Sequence, residues 1–182
     1  FDTVNTASSD IKRLLDQLRN KRVQLEKKVV VRLDSVLQDV IGKKQDKAPV
    51  PALREIDREC RVVAERARLA NVLGHLIDNA QQATAEDGTV GVRLYPRDNT
   101  CIVEIRDTGH GMDADFIRNR LFKPFDTTKG NAGMGVGMYE SREFIRQLGG
   151  EIRVESEPGK GTLILLCMPA APGLPGQDEV SG

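Results

Sequence analysis

Apolar residues recur at intervals of three and four in four stretches of the chain, which is the spacing of one face of an α-helix. These stretches lie at 9–21, 35–41, 68–84 and 136–150. Ser8 or Ser9 can cap the first helix and Asp34 the second, and Gly42 is expected to stop the second. The third stretch is the strongest, because its apolar face continues unbroken from Leu69 to Ala83. The pattern therefore predicts four helices.

Other stretches run apolar or alternate in the way that β-strands do. They lie at 29–33, 51–56, 60–65, 89–96, 100–107 and 151–169. Turn residues at 97–99 and 158–161 predict two β-hairpins. The order of these elements predicts a mixed sheet with helices on one face, an α/β (α+β) sandwich of two layers.

Composition restricts the class of protein. The chain has 182 residues, 39% of them hydrophobic and 30% charged, which suits one globular domain, and its formal net charge is +0. Without a basic stripe, nucleic-acid binding is not expected. Cys60, Cys101 and Cys167 are predicted to be buried, reduced thiols, which favours a cytoplasmic location. No membrane segment or signal peptide is recognised, and the tail 171–182 is predicted to be disordered.

The stretch 107–137 is the candidate centre of function, because it is long and irregular. It opens with Asp107 in a glycine turn at a strand end. A buried carboxylate there can accept a hydrogen bond from an exocyclic amine, while Gly109 and Gly111 let a flat ring approach the backbone. An ordinary strand-to-loop turn is the alternative.

The same stretch closes with Gly133, Gly135 and Gly137 before a helix. Their amides and the helix N-terminus can hold phosphate oxygens, and Lys129 can add a positive charge. A flexible hinge is the alternative, since the pattern matches neither the P-loop nor the dinucleotide fingerprint.

The helix at 68–84 also carries a polar stripe that is suited to a cation with its phosphates. Asn79 can ligate Mg²⁺ through its amide oxygen, or it can simply face solvent. His75 and His110 are the only histidines. Each is interpreted as a polar neighbour of the pocket, because no cysteine or histidine cluster accompanies either one. The stripe comprises Asn71, His75, Asp78, Asn79 and Gln82.

Four motifs, in the right order, resemble those of the ATP-binding domain of sensor histidine kinases. HLIDNAQQA resembles the N box, DTGHGM the first glycine box, FKPF the F box and GMGVGM the second glycine box. The resemblance covers about 29–170 and implies the Bergerat-type sandwich shared with gyrase, Hsp90 and MutL. GHLIDNAQQAT and RNRLFKPFDTTKGNAGMGVGMYESREFI are also similar to kinases of exopolysaccharide and protein-sorting (PEP-CTERM) systems.

The resemblance implies ATP and Mg²⁺ as ligands and gives roles to particular residues. Asn79 would hold Mg²⁺, Asp107 would read the adenine amine, Thr162 would support the adenine site, and 108–133 would form the ATP lid. The implied ATP-binding residues are Asn79, Asp107, Gly109, Gly111, Met112, Phe122, Lys129, Gly133, Gly135, Gly137 and Thr162, with His75, Gln82 and Ala83 in a second tier.

Four features depart from the family pattern. His75 stands where the ATP-hydrolysing relatives carry a glutamate base, which disfavours a self-contained ATPase. Gln82 replaces a common basic phosphate contact, and GMGVGM replaces the usual GTGLGL. Residues 1–19 resemble the end of the kinase's dimerising hairpin but contain no histidine, so the phosphoacceptor is expected to lie outside this chain.

These observations predict the catalytic part of a histidine kinase, which transfers the γ-phosphoryl group of ATP to a histidine on a dimerisation domain absent from this chain. No catalytic residue is assigned within the chain itself. The expected partners are that domain, in a homodimer, and a response regulator; the parent protein can be anchored in the inner membrane. The predicted parts are a helix and linker at 1–28, the ATP-binding domain at 29–170 and the tail. A degenerate ATP-sensing or scaffold module is the alternative.

Overall fold

A computed structural model describes residues 10–17, 27–124 and 137–172 of the chain. The strands in this part are β1 (Val29–Arg32), β2 (Ala52–Ile56), β3 (Arg61–Ala64), β4 (Val90–Arg97), β5 (Thr100–Asp107), β6 (Glu151–Glu157) and β7 (Gly161–Pro169). The helices are α1 (10–17), α2 (Leu33–Gly42), α3 (Arg66–Ala83), α4 (Ala114–Asn119) and α5 (Met138–Gln147).

Five of the strands form one mixed sheet in the order β2-β4-β5-β7-β6. β2 runs parallel to β4, and the other three pairings are antiparallel. β4–β5 and β6–β7 are the two predicted hairpins, and the predicted mixed sheet is confirmed. The central pairings bring Asp107 opposite Thr162 on β7, and Thr162 opposite Ser156 on β6. Three polar side chains therefore form one row across the end of the sheet.

The core lies between one face of this sheet and the helices α2, α3 and α5. Leu69, Leu73, Leu76 and Ile77 of α3 are buried there, as the apolar face of the third predicted helix requires. Burial of this kind stabilises by about 25 cal/mol for each Å² of apolar surface removed from water. Its buried apolar face therefore fixes α3 against the sheet, and this also fixes the position of its polar face.

The second predicted helix begins slightly earlier than its expected cap. Asp34 lies inside the first turn of α2, and the N-cap is Arg32, which makes no side-chain capping bond. The buried Asp34 carboxylate instead accepts hydrogen bonds from Arg32, at 3.2 and 2.7 Å. Gly42 is the last residue of α2, as predicted.

Three further expectations have mixed outcomes. The first helix is present, and Ile11, Leu14 and Leu15 are each 58% exposed; Ser8 and Ser9 lie outside the described residues. Cys60 and Cys101 are buried, whereas Cys167 is only partly buried because it lies on the outer face of the sheet. The tail from 173 onwards lies outside the described residues. No helix in the described part of the chain is long and apolar enough to cross a membrane.

The irregular central stretch contains a short helix that the apolar pattern did not predict. α4 is capped by Asp113, whose carboxylate accepts a 2.7 Å hydrogen bond from the amide of Phe116. All six residues of the helix are at least partly exposed. A single turn and a half that buries little apolar surface leaves no three-and-four periodicity in the sequence, which explains why the pattern missed it.

Candidate nucleotide-binding site

The polar residues of α3 do not all contact one another. Asn79 and His75, one turn apart, contact each other through Nδ2 and Nε2 at 3.2 Å. Asp78 turns away from them and forms a 2.6 Å ion pair with Lys44. Asn71 and Gln82 are exposed. The structure therefore separates Asp78 from the predicted stripe and leaves Asn79 and His75 as a pair.

The Asn79 amide has a defined orientation in this contact. An amide nitrogen only donates, so Nδ2 donates to His75 Nε2 when the imidazole carries its proton on Nδ1. No described residue donates to Asn79 Oδ1. This carbonyl oxygen is the group that could hold a hard cation.

Asp107 ends β5 as a buried carboxylate, only 6% exposed. Its Oδ1 atom accepts hydrogen bonds from the amides of Gly109, at 2.9 Å, and Thr162, at 3.2 Å. Burial raises the pKa of the Asp107 carboxyl above its ordinary value, and these two amides lower it in part. No described residue donates to Oδ2, so one oxygen atom of a fixed carboxylate is left as an acceptor.

The glycine turn after Asp107 is held on both sides by backbone hydrogen bonds. The amide of His110 donates to the carbonyl of Ala83 at the end of α3, at 3.0 Å. The carbonyl of His110 accepts from the amide of Gly159 in the β6–β7 turn, at 2.7 Å. The turn thus joins the helix that carries Asn79 to the hairpin that carries Thr162.

This packing supplies a second reason for the two glycines. A Cβ on Gly109 would lie 2.4 Å from the carbonyl oxygen of Ala83. Gly111 has φ +70, and a Cβ there would lie 2.1 Å from the carbonyl oxygen of Glu157. Both positions need glycine because the protein's own backbone approaches closely. Approach of a ligand ring remains a prediction for both.

A polar row continues from Asp107 across β7 to β6. The Ser156 hydroxyl lies 2.8 Å from the Thr162 hydroxyl and donates to the carbonyl of Gly161 at 3.0 Å. It also accepts from the amide of Met112 at 2.8 Å. Sequence reasoning missed Ser156. The available signal was the alternation along the strand, because Ile152, Val154 and Ser156 lie two residues apart and therefore share the inward face of β6.

The far side of the site is described only in part. Phe122 packs partly buried against the core, and the guanidinium of Arg142 lies 4.4 Å from the centre of its ring. Gly137 is the N-cap of α5, and its amide donates to Glu140 Oε2 at 2.8 Å. That amide is therefore already paired with a carboxylate of the protein. Lys129, Gly133 and Gly135 lie outside the described residues.

Residues 64–172 match the family described as histidine kinase-, DNA gyrase B- and HSP90-like ATPase. The chain belongs to this family. Its ATPase domain thus accounts for α3, the glycine turn and all of the sheet except β2.

Two curated relatives and two solved structures agree with this assignment. The signal transduction histidine-protein kinase AtoS of Escherichia coli K12 is 30% identical over 94% of this chain and 28% of its own length. The sensor protein FixL of Bradyrhizobium diazoefficiens is 38% identical over 60% of this chain and 22% of its own length. The chain spans less than a third of either protein.

The solved structures extend the likeness to the fold. A mycobacterial sensor histidine kinase, MprB, superposes with a TM-score of 0.70 at 22% identity, over 80% of this chain and 99% of that one. A nucleotide-free form of the catalytic domain of histidine kinase ThkA superposes with a TM-score of 0.68 at 25% identity, with the same coverage. The predicted two-layer α/β fold is confirmed.

Proposed function

We propose that this chain binds ATP and positions its γ-phosphoryl group for transfer to a histidine on a separate dimerisation domain. The observation that carries the proposal is the buried carboxylate of Asp107, fixed through Oδ1 with Oδ2 left as an acceptor. An acceptor of this kind suits the exocyclic amine of adenine. Thr162, the next residue along the same row, completes the adenine end of the site.

Asn79 is the residue proposed to hold Mg²⁺. Its amide nitrogen is directed to His75, which leaves Oδ1 for the cation. Mg²⁺ keeps several waters and takes few protein ligands, so one amide oxygen fits its chemistry. When bound, Mg²⁺ supplies charge neutralisation between phosphate oxygens.

Neither histidine of the chain is proposed as the phosphoryl acceptor. His110 is exposed at the glycine turn, where its Nδ1 lies 2.8 Å from the carbonyl of Gly111. His75 is held against Asn79 on the same helix. Phosphoryl transfer needs an acceptor that approaches the γ-phosphorus in line with the leaving group. A side chain fixed on the same helix as Asn79, the proposed metal ligand, cannot make that approach.

The remaining partners follow from this role. The acceptor histidine lies on a helical dimerisation domain, and the parent protein is a homodimer that passes the phosphoryl group to a response regulator. Sensor kinases such as AtoS and FixL support this proposal by their likeness. The ends of the domain at 29 and 170 and the likeness to exopolysaccharide-system kinases stay predictions.

Incubation with γ-labelled ATP and Mg²⁺ tests the proposal. The chain alone is expected to bind ATP without acquiring label. Adding the parent's helical hairpin in trans should give acid-labile label on the hairpin only. At an ATP concentration below saturation, Asp107→Asn should strongly reduce that label, and Glu104→Gln, on the opposite face of the same strand, is the matched control. Label on His75 would overturn the mechanism, and binding without transfer to any hairpin would indicate an ATP-sensing module instead.

A further inference from the structure

Ser156 lies next to Thr162 but on the side away from Asp107. The three residues form one row across β5, β7 and β6, so the Thr162 hydroxyl has the carboxylate on one side and the Ser156 hydroxyl on the other. The contacts of Ser156 decide which of these hydroxyls donates, and that choice has a chemical consequence for the ligand.

A serine hydroxyl has one proton and two lone pairs. The Met112 amide can only donate, so it uses one lone pair of Ser156, at 2.8 Å. The Gly161 carbonyl can only accept, so it takes the Ser156 proton, at 3.0 Å. One lone pair of Ser156 is then left for Thr162, whose hydroxyl lies 2.8 Å away. The arrangement satisfies every contact only when Thr162 donates to Ser156.

The Thr162 hydroxyl is therefore an acceptor towards anything else that meets it. Thr162 is 8% exposed as a residue, and no other side-chain partner competes for its hydroxyl proton among the described residues. Asp107 is paired with Thr162 on the neighbouring strand, and its Oδ2 atom is a second acceptor in the same row. Two acceptors in one row suit the donating 6-amino group of adenine and oppose an oxygen at the purine 6-position.

We infer that Ser156 is a specificity-determining residue, because it commits the proton of Thr162 and so makes the site accept a 6-amino purine and reject a 6-oxo purine. This inference rests on the proposed adenine site. Ser156 does not touch the purine itself; it acts through Thr162. Removing the Ser156 hydroxyl frees the Thr162 hydroxyl to rotate and donate to an oxygen.

The experiment measures the affinities of ATP and inosine triphosphate for the whole chain, with Mg²⁺, by calorimetry. Ser156→Ala is expected to raise the affinity for inosine triphosphate relative to ATP by roughly three- to ten-fold, the effect of one hydrogen bond. Ser156→Thr keeps a hydroxyl in place and should restore the selectivity of the unaltered chain. Any loosening of Met112 affects both nucleotides, so the ratio isolates the change at the 6-position.

A double variant identifies the source of the change. Ser156→Ala combined with Thr162→Val should lose the gain in affinity for inosine triphosphate, because no hydroxyl is left to donate. If Ser156→Ala leaves the ratio of the two nucleotide affinities unchanged, or if the gain for inosine triphosphate persists in the double variant, the inference about Ser156 is overturned. Neither result would contradict the proposal that the chain binds ATP. If the unaltered chain showed no preference for ATP over inosine triphosphate, the proposed adenine site itself would fail.

Discussion

β5 carries two buried carboxylates, three residues apart, that face opposite sides of the sheet. Glu104 on the outer face is 7% exposed, and Asp107 on the helix side is 6% exposed. Around Glu104 are the guanidinium groups of Arg93, at 3.2 Å, and Arg106, at 3.8 Å, together with the hydroxyl of Tyr95 at 3.3 Å. Within the described part of the chain, Asp107 accepts from only two backbone amides, both on one oxygen.

The difference suggests how a structural acid can be distinguished from one that is proposed to bind a ligand on the same strand. Burying a charge is costly unless it is paired, and Glu104 is paired with cations of the protein itself. Asp107 keeps a raised pKa because burial is only partly offset. An acceptor left incompletely satisfied in this way is suited to complete its hydrogen bonds with a ligand.

The largest expected effect is that of Asp107→Asn on nucleotide binding. An asparagine that keeps its oxygen on the Gly109 and Thr162 amides presents an NH₂ group where the carboxylate presented an acceptor. The loss of a charge-assisted hydrogen bond should lower affinity for ATP about ten- to a hundred-fold. Calorimetric titration measures it, together with the melting temperature, which should not fall, because the buried charge is removed. Unchanged affinity would remove Asp107 from the site.

Acid should weaken adenosine binding through the same group. Binding requires the carboxylate form, so affinity is full above the pKa of Asp107 and is lost as the pH falls through it. Because burial raises this pKa, the loss begins at a higher pH than for an exposed aspartate. Adenosine is the probe because it has no phosphates to titrate.

The effect of Asp107 on the free energy of unfolding changes with pH in the opposite direction to its effect on adenosine affinity. A raised carboxyl pKa means that the folded chain binds the proton more tightly than the unfolded chain, so the penalty from Asp107 is full above the raised pKa and disappears below the ordinary one. Asp107→Asn should remove the contribution of this carboxyl to the pH dependence of adenosine affinity and to that of stability. A titration of adenosine affinity that is identical in the variant and the unaltered chain would contradict this assignment.

The outer-face acid should show the reverse pattern. Glu104→Gln leaves the cation cluster without its carboxylate, and we expect the free energy of unfolding to fall by about 1–2 kcal/mol, a moderate figure because Arg93 is 39% exposed and its pairs are screened by solvent. Denaturant unfolding measures this change, and ATP titration of the same variant should give unaltered affinity. If Glu104→Gln weakened ATP binding as much as Asp107→Asn, the division between the two faces would be wrong.

Sequence reasoning recovered the fold well because the core carries its own periodicity. α3 and both hairpins are long enough that their buried positions recur at a regular spacing in the sequence. Asp107 was recognised as an acid in a glycine turn. It did not separate Asp78 from the polar stripe, because the ion pair with Lys44 joins residues 34 positions apart. α4 was missed because it buries too little to leave a pattern.

The site residues that the sequence missed depend on register rather than on composition. Ser156 gains its role only because β6 pairs with β7 so that Ser156 faces Thr162. A shift of one residue would put Ser156 on the other side of the sheet. The capping bond from Gly137 to Glu140 is likewise a local geometric fact that the spacing of glycines alone does not reveal. Motifs thus led to the proposed site, and strand pairing shows which side chains lie beside its residues.

The smallest expected effect is a difference in reactivity between two thiols on neighbouring strands of the sheet. Cys101 faces the core beside Cys60, and both are 2% exposed, while Cys167 lies partly exposed on the outer face. Burial raises the pKa of Cys60 to about 12 and also raises that of Cys101, so neither forms a reactive thiolate at neutral pH. Burial raises the pKa of Cys167 as well, but Cys167 is the most exposed residue of the three.

A maleimide at neutral pH should therefore modify Cys167 first, slowly, and without changing ATP affinity, since Cys167 points away from the row of Asp107, Thr162 and Ser156. Mass spectrometry of digested samples at successive times identifies the modified site, and Cys167→Ser is the control that should leave the folded chain almost unlabelled. Urea should expose Cys60 and Cys101 together, because they share one core. Labelling of Cys101 in the folded chain at the rate of Cys167 would show that the inner face opens, and the contrast between a closed core and an accessible outer face would no longer hold.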